Sequence, residues 1–297
     1  MTGDELREEM GIEFDNFILS FQKIIGQDKK YLFGLIGFIS GLLGALVAEI
    51  TIRPGTSYVF QVFIVALWAG VFATVISLGL HWAIDVYSRR KTNLGVLLKK
   101  AVPMGFIAGA VSGVIAQSIF GLNLYYVPWI DFAFRAVCWG ILGCILGAGL
   151  SYAIPNLGMR RAVIAGVSGG VIGGVGFQLV SLFFPETLGR MLGVGILGLA
   201  LGLCLVIVEE RSRSAFLEVH WAPNEISKFT LGSIPIYIGG GEDDVYISGI
   251  QHHAMSLVYQ KGKVNGMYYV TGDKKELSDG SRIKLGKVEM FVRIVQK

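Results

Sequence analysis

GFIAGAVSGVIAQSIF, from Gly105 to Phe120, followed after an aromatic turn by RAVCWGILGCILGAGL, from Arg135 to Leu150, reads as a glycine-studded helical hairpin. Its parts recur along the chain. GFISGLLGALVAEI from Gly37 matches the first helix and places Gly37 and Gly41 over Gly105 and Gly109. AGVSGGVIGG from Ala165 matches it again, with Gly166 and Gly170 over Gly109 and Gly113. RMLGVGILGLALGLCL from Arg190 repeats the second helix, setting Gly195, Gly198 and Gly202 over Gly140, Gly143 and Gly147. Leu67 to Leu80 is the weakest copy and keeps only Gly70 and the apolar run. A repeat sets architecture before any motif is read. Three two-helix hairpins predict six helices in a pseudo-threefold bundle.

Composition says which solvent those helices meet. Hydrophobic residues make up 53% of the 297 and charged residues only 16%, with a mean hydropathy of +0.60. About twenty apolar residues span a hydrocarbon core, and six runs fit, near 31–50, 59–84, 102–120, 133–154, 162–183 and 189–208. Forty-one glycines would weaken soluble helices, since each costs about 1 kcal/mol against Ala. In lipid, small residues four apart let two backbones touch. The stripe Gly105, Gly109, Gly113 and the sets Gly140, Gly143, Gly147 and Gly195, Gly198, Gly202 are therefore read as helix-packing faces. The transmembrane domain is set at 29–210.

The loops orient the bundle. Lys29, Lys30, Arg89, Arg90, Lys91, Lys99, Lys100, Arg160, Arg161, Arg211 and Arg213 fall on one side, while the opposite loops carry Asp131 and Glu186, with Arg53 and Arg190 at helix edges. The positive-inside rule then expects both termini in the cytoplasm, in a bacterial inner membrane. The first apolar run begins after residue 30, so no cleavable signal peptide is expected. The net charge of +4 comes largely from these loops and speaks of orientation, not of nucleic acid. Residues 1–28 form a polar opening and a short amphipathic segment, with Phe14, Phe17, Ile18, Phe21 and Ile25 at helical spacing. Cys138, Cys144 and Cys204 lie inside predicted spans and have no metal-ligand spacing.

Polar residues within the spans are few. Glu49, Gln117 and Gln178 fall near the outer ends of the odd helices, and Arg135 and Arg190 start two even helices at the same depth. Ionisable groups at that depth are functional candidates; the alternative is that Glu49 simply pairs with Arg53, Arg135 or Arg190. His81 and Asp85, one turn apart, read as a hydrogen-bonded pair at the inner boundary. Pro54, Pro103, Pro128, Pro155 and Pro185 are all placed at helix ends or in loops, so no span is expected to break at its middle.

After Val208 the pattern changes to short alternating strands: FLEVHW, IPIYIG, DVYI, HAMSLVYQ, MYYVTG, SRIKLG and VEMFVRIV. Turn dipeptides Asn265-Gly266, Thr271-Gly272 and Asp279-Gly280 separate several of them, which predicts a small β-sandwich over 215–297. The ordered set Ile238-Gly239-Gly240, Asp244 to Ile247, His252-His253-Ala254, Asn265-Gly266 and Leu277 to Gly286 resembles a forkhead-associated domain. That family reads phosphothreonine. The resemblance implies a phosphate held by an arginine after the first glycine and by a serine and an arginine before the histidines, with an asparagine gripping the peptide backbone.

Here those positions are Gly240, Ile250, Gln251 and Asn265, and His253 matches the histidine that braces the loops. Charge-assisted hydrogen bonds contribute roughly 1.5–3 kcal/mol each, so losing both arginines and the serine should remove most phosphate affinity. Glu242, Asp243 and Asp244 add repulsion, and no Lys or Arg lies between Lys228 and Lys261. Gly240, Ile250, Gln251 and Asn265 are thus expected to face a partner that is not phosphorylated.

No phosphate-cradling loop, nucleophile elbow or HExxH is present, and neither enzyme activity, cofactor nor metal is expected. Two function classes stay open. One is a non-catalytic membrane scaffold, alone or oligomeric, that contacts lipid and recruits a cytoplasmic protein. The other is a channel or transporter built from the repeat bundle and regulated by the sandwich.

Overall fold

A computed structural model describes residues 28–51, 57–90, 92–121, 128–222 and 225–295. The expected amphipathic opening up to residue 27, together with Arg53 and Pro54, lies outside the described residues. The chain divides into two compact units, one of Phe33–Ile84 with Thr92–Arg213, the other of Met1–Leu32, Asp85–Lys91 and Ser214–Lys297.

Among the described residues, six helices are long and apolar enough to cross a membrane: α1 (Lys29–Thr51), α2 (Tyr58–Tyr87), α3 (Leu94–Gly121), α4 (Pro128–Leu150), α5 (Met159–Ser181) and α6 (Glu186–Ser212). Their outward faces keep large apolar side chains exposed, among them Phe63, Ile107 and Ile172, as a lipid-facing surface would. Two helices depart from expectation. α4 stops at Leu150, followed by turns through Asn156. α3 begins at Leu94, so Pro103 sits inside it rather than at its end. The charged stretch around Lys99 and Lys100 continues the helix ahead of the apolar run, and hydropathy alone does not see it.

Glycines set the helix contacts. On α1 and α6, a Cβ added to Gly37 would run into the Gly198 carbonyl, and one added to Gly41 into that of Val194. On α3 and α2, Gly109 meets the Ala69 carbonyl in the same way, while a Cβ on Gly105 would stand 2.8 Å from the Ala73 oxygen. On α5 and α4, Gly166 meets the Gly143 carbonyl and Gly170 that of Trp139. Backbones this close admit only hydrogen at the crossing. α1 also touches α2 at Gly44 and Phe72, α3 touches α4 at Met104 and Gly149, and α5 touches α6 at Gly173 and Leu197. Each helix therefore meets the next, and α6 returns to α1.

These contacts correct one expected alignment. Gly166 and Gly170 occupy the crossing positions of Gly105 and Gly109, one turn earlier than the sequence match with Gly109 and Gly113. α5 carries glycine at 166, 169, 170, 173 and 174, which fits two registers equally well until the opposing carbonyls are known. Of the nine expected packing glycines, Gly105, Gly109, Gly113, Gly143, Gly147, Gly198 and Gly202 face a neighbouring backbone. A Cβ added to Gly140 or Gly195 would instead point at side chains, those of Val171 and Val167, and of Phe38 and Leu42.

The described residues of the second unit form a β-region of nine strands: β1 (Ala215–Ala222), β2 (Glu225–Leu231), β3 (Ile236–Gly239), β4 (Val245–Tyr246), β5 (Met255–Gln260), β6 (Lys263–Tyr268), β7 (Lys274–Leu277), β8 (Arg282–Leu285) and β9 (Val288–Ile294). They form a sheet of order β2-β1-β9-β8 and another of order β4-β3-β5-β6-β7. Alternation places Leu217, Val219, Ile236, Ile238, Met255, Leu257, Val264, Met290 and Val292 in a fully buried core. β2 and β7 escaped the sequence reading because SKFT and KKE look polar. Asn265-Gly266 is not a turn. It lies within β6, opposite Val258 and Leu257 of β5.

The turn following α2 belongs with this unit. The Tyr87 hydroxyl accepts the Lys228 N–H at 2.7 Å, Arg89 pairs with Glu225 and lies over the Trp221 ring, and the Tyr246 N–H donates to the Ser88 carbonyl.

Candidate functional site

Two places bring functional side chains together. The first is a cavity of about 1020 Å³ in the helical unit, at the end formed by the last turns of α1, α3 and α5 and the first turns of α2, α4 and α6. Glu49, Gln117, Arg135 and Arg190, four of the five expected polar candidates, line it. Gln178 does not; its amide reaches the Gly174 carbonyl at 3.3 Å and that of Phe132 at 3.5 Å. Arg190 makes a two-pronged pair with Glu49, 2.6 Å from Nε and 2.9 Å from Nη2, and holds Glu186 with Nη1 at 2.5 Å. Arg135 Nε donates to Asp131 at 2.9 Å. Each guanidinium is thus met by a carboxylate, and among the described residues Glu49 pairs with Arg190, one of its expected partners.

Trp68, Trp139 and Phe177 supply aromatic walls, and the buried Trp68 N–H has no hydrogen-bond partner among the described residues. Farther along the same helices come Phe72, Ile76, Leu80, Leu146, Leu150, Leu201 and Leu205, all 0 to 1% exposed. The polar lining is confined to one end, and tightly packed apolar side chains occupy the remaining length. At the other end, His81 Nδ1 meets the Ser77 carbonyl at 2.8 Å, and in the other unit Asp85 pairs with Arg90 at 2.5 Å.

The second place is the loop face at one end of the five-stranded sheet. β3 ends in Gly239-Gly240, and the Gly240 N–H donates to the Gln251 carbonyl at 2.9 Å. A Cβ at Gly240 would collide with the Ile250 carbonyl. No longer side chain fits there without moving the backbone of the neighbouring loop. Ile250 is half-buried and Gln251 exposed. Asn265 does not join them. Met255, at the loop end of β5, pairs with Tyr268 of β6, whereas Asn265 pairs three residues away with Val258, about 10 Å along the strand. The turn at this end is instead Thr271-Gly272, with Gly272 at φ +76°.

Between the two loops lies a cluster that the sequence reading did not assemble. Asp243 is fully buried, and its Oδ1 lies 2.6 Å from His253 Nδ1 and 2.9 Å from His252 Nδ1. Its Oδ2 accepts the His253 backbone N–H at 2.8 Å. The two imidazoles stack 3.7 Å apart, and Tyr237 stacks on His253 at 4.2 Å. The only hint in the sequence was His252-His253 following Asp243-Asp244 at an interval of nine. Burial pushes the Asp244 carboxyl above its ordinary range, against the Tyr237 N–H it accepts and the nearby Arg90 charge.

Comparison with protein-family models, with curated proteins and with solved structures returned no match to any part of the chain.

Proposed function

We propose that the chain is a non-catalytic membrane scaffold, in which a pseudo-threefold ring of three glycine hairpins anchors a forkhead-associated-like sandwich that recruits a cytoplasmic protein without phosphate. The observation that carries this reading is the closure of the first loop on the second. Where phosphate capture needs a long cationic side chain, Gly240 rests on the Ile250 carbonyl, so the position lacks both the charge and the space for one. Gln251 presents an uncharged polar group, and Arg90, whose charge acts on Asp244, is already held by Asp85. An uncharged, partly apolar face does not offset the desolvation of a phosphate dianion, whereas it can cover an ordinary protein surface. The matching crossings at Gly37, Gly105 and Gly166 support the threefold reading of the ring. Titrating the full chain in detergent with threonine and phosphothreonine peptide libraries tests the proposal: affinity should not rise with phosphorylation.

A second reading, a transporter or channel, is favoured by the polar-lined cavity. The fully buried leucines along the rest of the bundle weigh against an open pore. Solute uptake into proteoliposomes that is abolished by Glu49→Gln would support this second reading over the first.

A further inference from the structure

We infer that Asp243, His252 and His253 form a binding site for a first-row divalent metal ion of the zinc class, which ties the loop after β3 to the loop before β5. The three donor atoms, one carboxylate oxygen and two Nδ1 atoms, lie within 4.8 Å of one another. Zinc–nitrogen and zinc–oxygen bonds are about 2.0–2.1 Å long, so adjacent donors of a tetrahedral zinc stand about 3.3 Å apart, and the two carboxylate–imidazole pairs open slightly to admit the ion. The observed separations of Asp243 Oδ1 from His253 and His252 are 2.6 and 2.9 Å. The Gly240 carbonyl, 3.2 Å from His252 Nδ1, offers an oxygen as a fourth donor. Imidazole with a carboxylate suits zinc, copper, nickel or iron, whereas magnesium and calcium prefer oxygen alone.

The backbone provides an independent observation. Neighbouring residues in an extended chain point their side chains to opposite faces. His253 instead adopts φ +51°, a conformation that non-glycine residues take infrequently and that clusters at ligand sites. That single turn stacks the rings of His252 and His253 and brings both Nδ1 atoms onto Asp243. The outer support is also in place, because the His253 backbone N–H fixes Oδ2 of Asp243 and leaves Oδ1 for the ion. Both imidazole side chains are about half exposed, 56% and 45%, so an ion can reach them from solvent. The two loops carry no lysine or arginine, and the Arg90 charge near Asp244 is met by Asp85. Without metal, His253 Nδ1 hydrogen-bonds to the Asp243 carboxylate and His252 Nδ1 to the Gly240 carbonyl, and the loops keep their shape.

The test uses the full chain in detergent, purified without a polyhistidine tag, and titrated calorimetrically with zinc chloride in the presence of magnesium. One zinc per chain with micromolar or tighter affinity is expected. His252→Ala and His252→Gln leave the His253–Asp243 bond in place, so both should fold, with unchanged melting in metal-free buffer, and bind zinc roughly tenfold or more weakly. His81 and His220 remain in both variants as internal controls for adventitious binding. Absence of stoichiometric zinc uptake, or uptake undiminished in both variants, would overturn the assignment.

Discussion

Gly198 on α6 and Gly37 on α1 meet backbone to backbone: a Cβ on either would collide with the other's carbonyl oxygen. Gly143 and Gly166 repeat this relationship on α4 and α5. Gly198→Ala and Gly166→Ala should each destabilise the bundle by about 1–3 kcal/mol, as overpacking does. Gly140→Ala is the contrast, because its new methyl would meet a yielding Val171 methyl at 3.1 Å while gaining helix propensity of about 1 kcal/mol. Thermal unfolding in detergent, followed by size-exclusion recovery, reads the difference. Equal tolerance of all three would show that the backbones are not in contact.

Glu49 and Arg190 should be strongly coupled, and Glu186 only weakly. The side chain of Glu49 is 16% exposed and that of Glu186 is 85% exposed. Breaking a fully buried pair by removing one partner costs about 3–5 kcal/mol. With Arg190 itself 31% exposed, solvent should reduce the cost of Glu49→Gln to roughly 1–2 kcal/mol. Glu186→Gln should change stability by less than about 0.5 kcal/mol. A double-mutant cycle over Glu49 and Arg190, measured by unfolding in detergent, checks this. A coupling near zero would make the pair a surface decoration and free Glu49 for another role.

The positive loops make orientation testable. Phe183, 81% exposed in the loop before α6, should react as cysteine with an impermeant maleimide in intact cells, in a background lacking Cys138, Cys144 and Cys204. Lys99, exposed near the start of α3, should react as cysteine only after permeabilisation. The opposite pattern would place the β-region outside.

The six apolar helices were legible because hydropathy and a glycine repeat are local properties of the chain. What failed was register and end-effects. Gly166 fits two alignments, and only the opposing Gly143 carbonyl distinguishes them. Pro103 looks like a helix start unless the polar turn before it is known to be helical. In the β-region, Asn265-Gly266 carries the strongest short turn signal of the chain, yet β6 runs straight through it and the chain turns at Thr271-Gly272. Cross-strand pairing with Val258 and Leu257 overrides the local preference. The cavity was half legible: Glu49, Gln117, Arg135 and Arg190 could be ranked by depth, but their convergence and the unpartnered Trp68 N–H depend on how six helices close on one another. The Asp243–His252–His253 cluster was illegible, since it depends on one positive φ at His253.

The most direct measurement of the central claim is partner retention by the full chain, isolated from its native membrane in mild detergent, before and after phosphatase treatment, alongside a Gln251→Trp variant. Gln251 is exposed, so the bulky substitution blocks the loop face without disturbing the core. The account predicts that the same cytoplasmic protein stays bound after dephosphorylation and is lost from Gln251→Trp. Release of the partner by phosphatase, or undiminished retention by Gln251→Trp, would contradict it.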